Sequence, residues 1–315
     1  MRRAIAREFA AIDGWRARVV VPLDNRLEED PAPWTVERMP RGQILRWIGR
    51  LAREADFTVL IAPETTGILA RLTRYVQETG TRLLGSSAEA IELAGDKAAL
   101  ASHLSARGIE TPPCHVINPG DGLPGDATYP AVVKPIDGAG TVDTFFLECR
   151  ESLPESARGM PRAILQPYVK GKPMSASFLV DASGRAWLLG IGEQDVVITE
   201  GRFGYRGGRI PVSPFVDERP MRVAVESVRG LRGFVGVDFI WDEQRRQPTV
   251  LEINPRPTTS IVGLVRLLSP GQLAKAWIGA LNAGSAGEAL PPDLADVIRA
   301  QSPIHFDASG TVFTS

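Results

Sequence analysis

Apolar and polar positions change period several times along the chain. Residues 1–15 alternate in helical fashion, as an amphipathic helix does. "RARVVVPLD" (16–24) and "FTVLIAPE" (57–64) are near-continuous apolar runs, as strands buried on both faces require. "RGQILRWIGRLAREA" (41–55) and "TGILARLTRYVQETG" (66–80) repeat with helical period, and Gly80 supplies a stop. "TRLLGSS" reads as a short strand and turn. This βαβα rhythm predicts a small parallel α/β lobe over residues 1–85. The lobe opens on a helix, where a doubly wound lobe ordinarily opens on a strand.

From residue 86 the rhythm changes. "SSAEAIELAGDKAALASHLSARGIETPP" (86–113) predicts two helices, with Ser87 as N-cap of the first and Gly108 and the prolines ending the second. Short β-like pieces follow at 131–137, 162–169, 174–181 and 186–198, separated by glycine turns, which predicts antiparallel pairing. Residues 218–233 read as helix, 234–242 and 247–255 as a hairpin pair, and 262–284 as broken helix. The reading is an α+β unit over 86–284, with a central lobe at about 114–168 and a C-terminal lobe at about 169–284. Residues 285–315, rich in Ala, Pro, Gly and Ser, read as a partly mobile tail.

Composition narrows the class. A 315-residue chain is long for one core and suits two or three packed lobes. A formal charge of -1 gives no global basic field for nucleic acid. No apolar run approaches the ~20 residues that span a bilayer, and the arginine-rich start, interrupted by Glu8 and Asp13, leads into no signal-peptide core. Cys114 and Cys149 fit neither a disulfide framework nor a zinc site, so a reducing cytoplasm is the expected home. His103, His115 and His305 are scattered and read as structural or surface residues.

Of the 36 basic residues only five are lysine: Lys97, Lys134, Lys170, Lys172 and Lys275. A chain that uses arginine for surface charge keeps lysine where a compact point charge is needed. Four of the five fall in three segments that also carry other suggestive residues.

The most informative segment is "VLEINPRPTTS" (250–260). Alternate residues of a strand share a face, so Glu252 and Asn254 point one way while Leu251 and Ile253 point the other. Asp238 breaks the apolar strand "VGVDFIW", and pairing of the two strands would bring Asp238, Glu252 and Asn254 together. Two carboxylates and an amide oxygen form a hard oxygen set suited to Mg²⁺, with Mn²⁺ as an alternative. Each residue alone is also an ordinary strand-end polar group. Arg256, after the break at Pro255, is placed to stabilise developing negative charge.

A nucleotide site is sought upstream. "VVKPIDGAGTVDT" sets Lys134 at a strand end before Gly138 and Gly140, where backbone N–H groups can approach phosphates. It is not a Walker sequence, and a plain hairpin turn accounts for the glycines equally well. "GDKAAL" puts Lys97 near a helix start. "LQPYVKGKP" (165–173) reads as a linker in which Gln166 and the backbone near Tyr168 and Val169 can meet an adenine edge.

The ordered set "DK" (96–97), "VVKPIDGAGT" (132–141), "LQPYVKG" (165–171), "VGVDFI" (235–240) and "LEINPRP" (251–257) resembles the ATP-grasp superfamily, across about two thirds of the chain. The resemblance implies an ATP-grasp fold, two α+β lobes sandwiching ATP, preceded by a shortened parallel α/β pre-ATP-grasp domain. It implies phosphate contacts from Lys97 and Lys134, covered by a loop of Gly138, Ala139, Gly140 and Thr141. Adenine would be held by Gln166, Pro167, Tyr168 and Val169. Mg²⁺ would be carried by Asp238, Glu252 and Asn254, and acyl-phosphate oxygens by Arg256. Many relatives grip the ribose with a glutamate after the hinge; Ser175 stands at that position here, leaving the ribose contact open. Superfamily analogy suggests a homodimer.

Residues 54–72, 83–100 and "GYRGGRIPV" (204–212) look like the tyramine–L-glutamate ligases of methanofuran biosynthesis and their methylotroph relatives. That resemblance implies small-molecule substrates, an acid and an amine, joined through an acyl phosphate. Arg206 and Arg209 are then candidates to grip substrate carboxylates bidentately, the alternative being a solvated glycine-rich loop. Relatives begin with an additional strand, so this first lobe reads as either started late or trimmed. The rival readings are a ligase for another acid and amine, and an ATP-binding regulatory protein without turnover. A dehydrogenase is disfavoured because no GxGxxG follows a strand.

Overall fold

The apolar runs and helical stripes settle into a three-part α/β and α+β architecture. The computed structural model describes residues 1–22, 34–40, 42–138, 140–212, 216–282 and 294–313. The first part contains α1 (Arg2–Ala10), β1 (Ala17–Pro22), β2 (Trp34–Met39), α2 (Ile44–Arg53), β3 (Phe57–Thr58), α3 (Ile68–Glu78) and β4 (Arg82–Leu83). Both strand pairs here, β1 with β2 and β3 with β4, are parallel, as the βαβα rhythm predicts. The expected strand over 57–64 has ladder pairing only at Phe57 and Thr58. Beyond them the chain stays extended, with Val59 and Ile61 in one apolar cluster and Leu60 and Ala62 in another. The alternation is therefore real, but the partner strand is too short to pair with it. Strand β2 was not singled out from the sequence; its "WTVERM" pattern mixes charge into the run because three of its six residues are only half-buried.

Next come α4 (Ala88–Gly95), α5 (Lys97–Ser105), β5 (His115–Ile117), β6 (Ala131–Pro135), β7 (Phe145–Leu147), α6 (Glu155–Arg158) and β8 (Ala163–Pro167). Ser87 caps α4 by accepting the Ala90 N–H, and Gly108 adopts φ +70° where the turn after α5 reverses hand. Strands β5 to β8 pair antiparallel over a layer of Ala131, Val133, Phe145, Leu147, Ala163 and Leu165.

The last part holds β9 (Lys172–Val180), β10 (Ala186–Thr199), β11 (Arg202–Ile210), α7 (Arg219–Ser227), β12 (Gly233–Asp242), β13 (Gln247–Asn254), α8 (Ile261–Leu264), α9 (Gln272–Asn282), α10 (Leu294–Arg299), β14 (Ile304–Asp307) and β15 (Val312–Phe313). The strand order is β13-β12-β9-β10-β11, and the β7-β6-β8-β5 sheet joins it at one ladder pair, Arg202 with Phe145. Helices α4, α5 and α7 cover one face of the larger sheet, packing on Phe178, Val235, Val237 and Phe239. Helices α8, α9 and α10 cover the other, packing on Leu179, Leu189, Ile210 and Phe234.

Two expectations change. The region 285–315 is not uniformly a loose tail: within it, residues 294–313 form α10, β14 and β15, and β14 pairs with β11. Ile298 and Phe306 are buried in the core, which accounts for the ordering despite the Ala/Pro/Gly/Ser composition. The glycine-rich "GYRGGRIPV" is not a loop either, since Arg202–Ile210 is a strand between β10 and β14. Its glycines allow close strand approach: a Cβ on Gly207 would run into the Phe306 carbonyl, and one on Gly208 into the Glu193 carbonyl.

Candidate active site

The covering helices leave the second face of the large sheet polar at one end. There β12 and β13 run antiparallel with Asp238 directly opposite Glu252, and a bulge follows Asp238. Asn254 shares the Glu252 face, while Val237 and Ile253 enter the core on the other side. Gln194 Nε2 donates to Asp238 Oδ1 at 2.9 Å and Asn254 Nδ2 donates to Oδ2 at 3.0 Å. Burial, reinforced by the adjacent Glu252, drives the Asp238 carboxyl well above the usual range. Burial opposes ionisation of Glu252 as well, but Lys97 and Lys134 hold its carboxyl below the ordinary value. The two carboxyls stand opposite each other on paired strands, so their ionisations are coupled, with Asp238 pushed up and Glu252 held down.

That donor set fits a divalent ion. Among the described residues no three His, Cys, Asp or Glu side chains gather; the set is two carboxylates and an amide. Asn254 spends its Nδ2 on Asp238 and keeps Oδ1 as an oxygen donor. An all-oxygen set with few protein ligands suits Mg²⁺, which completes its shell with water and phosphate oxygens.

Lysines from the smaller sheet and α5 face this set. Lys134 and Gln166 lie on the face of β6 and β8 opposite the apolar layer, since Val132 pairs with Gln166 and Lys134 with Ile164. Burial pushes the Lys134 ammonium below its ordinary value and neighbouring Lys97 adds to this, while Glu252 and Asp238 oppose it. Lys97 is the first residue of α5, which Asp96 caps through Oδ1 to the Ala98 and Ala99 N–H groups. Its Nζ donates to the Gly138 carbonyl at 2.9 Å and lies 3.7 Å from Glu252 Oε2. A buried pair of ammonium groups beside a carboxylate pair is suited to a polyanion whose charge an added cation balances.

The remaining expected nucleotide residues are distributed as follows. Gly138 and Gly140 take φ +115° and +73°, and Ala139 lies outside the described residues. Thr141 Oγ1 accepts the Tyr205 N–H at 3.1 Å, which ties this loop to β11. Gln166 is buried, with the Cys114 thiol 3.8 Å from Oε1. Pro167 ends β8, the Tyr168 N–H donates to Pro130 O at 2.9 Å, and Val169 is half-buried. The Tyr168 ring meets Phe146 edge-on at 5.0 Å. Ser175 sits in β9 directly beside Asp238 and is buried.

The three arginines part company. Arg256 enters the site region but is bound by Glu64 of the first lobe: Nε to Oε1 at 2.8 Å and Nη2 to Oε2 at 3.1 Å. Arg209 pairs with Glu193 at 2.7 Å, and ladder parity puts both on the face opposite Gln194 and Asp238. Arg206 is the extra residue where the β10–β11 register slips, and it is exposed. Three residues that the sequence reading passed over join the site: Gln194, Tyr205 and Glu64. Burial, with the Asp238 charge adding to it, raises the Tyr205 pKa. The slip between Asp195 and Val196 shifts the alternation there, which hid Tyr205 and Gln194 from a simple period-two reading.

The family assignment rests on two adjoining matches. A pre ATP-grasp 3 domain model matches residues 17–91, and an ATP-grasp domain model matches residues 94–260. The chain belongs to the ATP-grasp family. It is 29% identical over 213 residues to a tyramine–L-glutamate ligase of Methanocaldococcus fervens, covering 66% of this chain and 61% of that one. The chain thus spans about three fifths of that relative's length. Among solved structures, a putative ATP-grasp superfamily protein from Archaeoglobus fulgidus matches with TM-score 0.58 and 27% identity over 78% of this chain and 71% of that one. An L-amino acid ligase from Bacillus licheniformis matches with TM-score 0.65 over 80% and 64%, at 17% identity, and so speaks to the fold alone. In this ATP-grasp chain Lys97, Lys134, Asp238, Glu252 and Asn254 come together from α5, β6, β12 and β13, whereas Arg206 and Arg209 stand apart.

Proposed function

We propose that this chain is an ATP-dependent ligase that joins a carboxylate to an amine through an acyl phosphate. The carrying observation is the convergence of Lys97 and Lys134 on the Asp238–Glu252–Asn254 set. The favoured pair is the γ-carboxylate of glutamate with tyramine, in the making of a methanofuran-type C1 carrier. That finer reading is supported by the names of the relatives at 28–29% identity.

Chemically, a carboxylate oxygen attacks the γ-phosphorus of ATP, and the bond to ADP breaks. The amine nitrogen then attacks the acyl carbon, phosphate leaves with its electron pair, and the nitrogen loses a proton. Lys134 and Lys97 supply point charges to the phosphates. Asp238, Glu252 and Asn254 would hold Mg²⁺, which supplies charge neutralisation of phosphate oxygens when bound. Arg256 addresses oxygens of the acyl phosphate, and Gln166 to Val169 line the adenine end. The loop of Gly138 to Thr141, tied to β11 through Tyr205, keeps water from the acyl phosphate.

The test is an ADP-release screen of amino acids crossed with amines. Glutamate with tyramine is expected to release more ADP than glutamate alone. Equal release removes the substrate pair, and release with a different pair replaces it. ATP binding without stimulation by any pair removes the ligase reading in favour of a nucleotide-binding protein without turnover.

A further inference from the structure

Glu64 carries a feature that the proposed chemistry does not use. It sits where the extended run after β3 turns into α3, in "APETTG". It is 6% exposed and makes a two-point ion pair with Arg256, which lies 192 residues further along the chain. The same turn reaches the phosphate side. The Thr66 N–H donates to Asp137 Oδ2 at 2.7 Å, with Thr66 itself in left-handed backbone at φ +52°. Thr65 Oγ1 lies 3.4 Å from where a Gly138 Cβ would stand, and Gly95 leaves room for the Glu64 stem, with a Cβ there 3.3 Å from Glu64 Cβ.

The fork geometry has a consequence for Arg256. Two parallel bonds to one carboxylate fix the guanidinium plane as well as its position. Nη1 is steered to the Pro257 carbonyl at 3.3 Å. Arg256 follows Asn254 by two residues, and Asn254 is hydrogen-bonded to Asp238, so the chain brings Arg256 to the end of β13 that carries the carboxylate pair. Without Glu64, a long side chain after a proline break would have several rotamers, and few of them would present N–H groups to the site.

We propose that Glu64 is a positioning residue: the first lobe aims Arg256 at the transferring phosphoryl group, and the turn 63–67 couples that aim to the Asp137–Gly138 loop. The inference rests on the ligase reading for its biological use, and its test does not.

The experiment uses MgADP with and without aluminium fluoride, a mimic of the phosphoryl group in transfer, and compares wild type with Glu64→Gln, Arg256→Lys and the double variant. Wild type is expected to bind MgADP at least tenfold more tightly when aluminium fluoride is present. Glu64→Gln keeps its MgADP affinity within twofold and its melting temperature near wild type, and loses that tenfold increment. Arg256→Lys loses the same increment, and the double variant loses no more, as coupled residues require. Glu64→Asp, which keeps charge but is too short for both bonds, recovers part of it. The proposal is overturned if Glu64→Gln keeps the increment, if MgADP affinity and stability fall in parallel, or if the two single losses add. A wild type that shows the increment yet releases no ADP with any acid–amine pair removes the ligase reading and leaves the positioning role standing.

Discussion

At the scale of single residues, the carboxylate pair is where chemistry and stability pull against each other. Asp238 and Glu252 face each other across paired strands, with the Asp238 carboxyl pushed up and that of Glu252 held down, and two ammonium groups stand nearby. Glu252→Gln removes an oxygen anion from the metal set, so ADP formation is expected to fall below detection. The same change removes attraction to Lys97 and Lys134 and also removes the cost of desolvating a carboxylate, which offset, so the melting temperature should move by less than about 5 °C. Retained ADP release in a steady-state assay would remove the metal assignment. Lys134→Arg keeps the charge but replaces a point charge by a planar fork in a buried place. A loss of about a hundredfold in kcat/KM is expected, of the size that removal of one aimed electrostatic contact produces. Wild-type kinetics for Arg at this position would show that the site reads charge alone. These residues were legible because lysine is scarce here and because strand parity sorts Glu252 from Ile253. Glu64 was not, since nothing in "APETTG" says which distant arginine it will meet.

At the scale of elements, α1 shows how one side chain fixes a helix on another. Glu8 Oε2 accepts the Leu273 N–H at 3.2 Å, and its carboxylate also faces the Gly271 and Ala274 N–H groups at the start of α9. It therefore fills the orphan-donor role that a local N-cap fills elsewhere. Phe9 packs on Trp277 beside it at 5.8 Å. Burial nevertheless raises the Glu8 pKa, and the N–H groups that face it only reduce the rise. Between the ordinary glutamate value and this raised one, the folded chain holds more proton than the unfolded chain. Stability from this group is thus fully present at low pH and is lost as pH rises through the raised value. Glu8→Gln keeps an oxygen for the N–H groups and cannot ionise. Its melting temperature relative to wild type should be more favourable at pH 8 than at pH 5 by about 2 °C, measured by calorimetry. A constant offset would mean that Glu8 titrates as it does in the unfolded chain. Helix positions such as this one were readable from period and caps, whereas the docking partner of α1 was not, because it lies at the far end of the chain. Register slips set a similar limit in strands. A bulge moves Tyr205 onto the site face without any mark in the composition.

At the scale of the whole molecule, the C-terminal stretch decides whether β11 is an edge or an interior strand. β14 pairs with it from Gly207 to Ile210, and Phe306 enters the cluster of Ile210, Leu264 and Ile298. Gly263 is shaped for this contact: a Cβ there would lie 2.5 Å from Ile210 Cγ2 and 3.4 Å from the Phe306 ring. Composition alone assigns 285–315 to a tail, since a few large apolar residues among many small ones do not look like a core. What they supply is a cover for one strand rather than a core of their own. Phe306→Ala should then cost about 3–5 kcal/mol, the range for removing a buried aromatic side chain. The measurement is the urea midpoint at constant slope. MgATP affinity should change little, because Phe306 packs with Ile210, Leu264 and Ile298 and not with Tyr205 or Thr141. A loss under about 1 kcal/mol, the level of surface changes, would show that the segment only rests on the sheet. A loss of nucleotide affinity as large as the loss of stability would instead show that β14 transmits its pairing along β11 to Thr141.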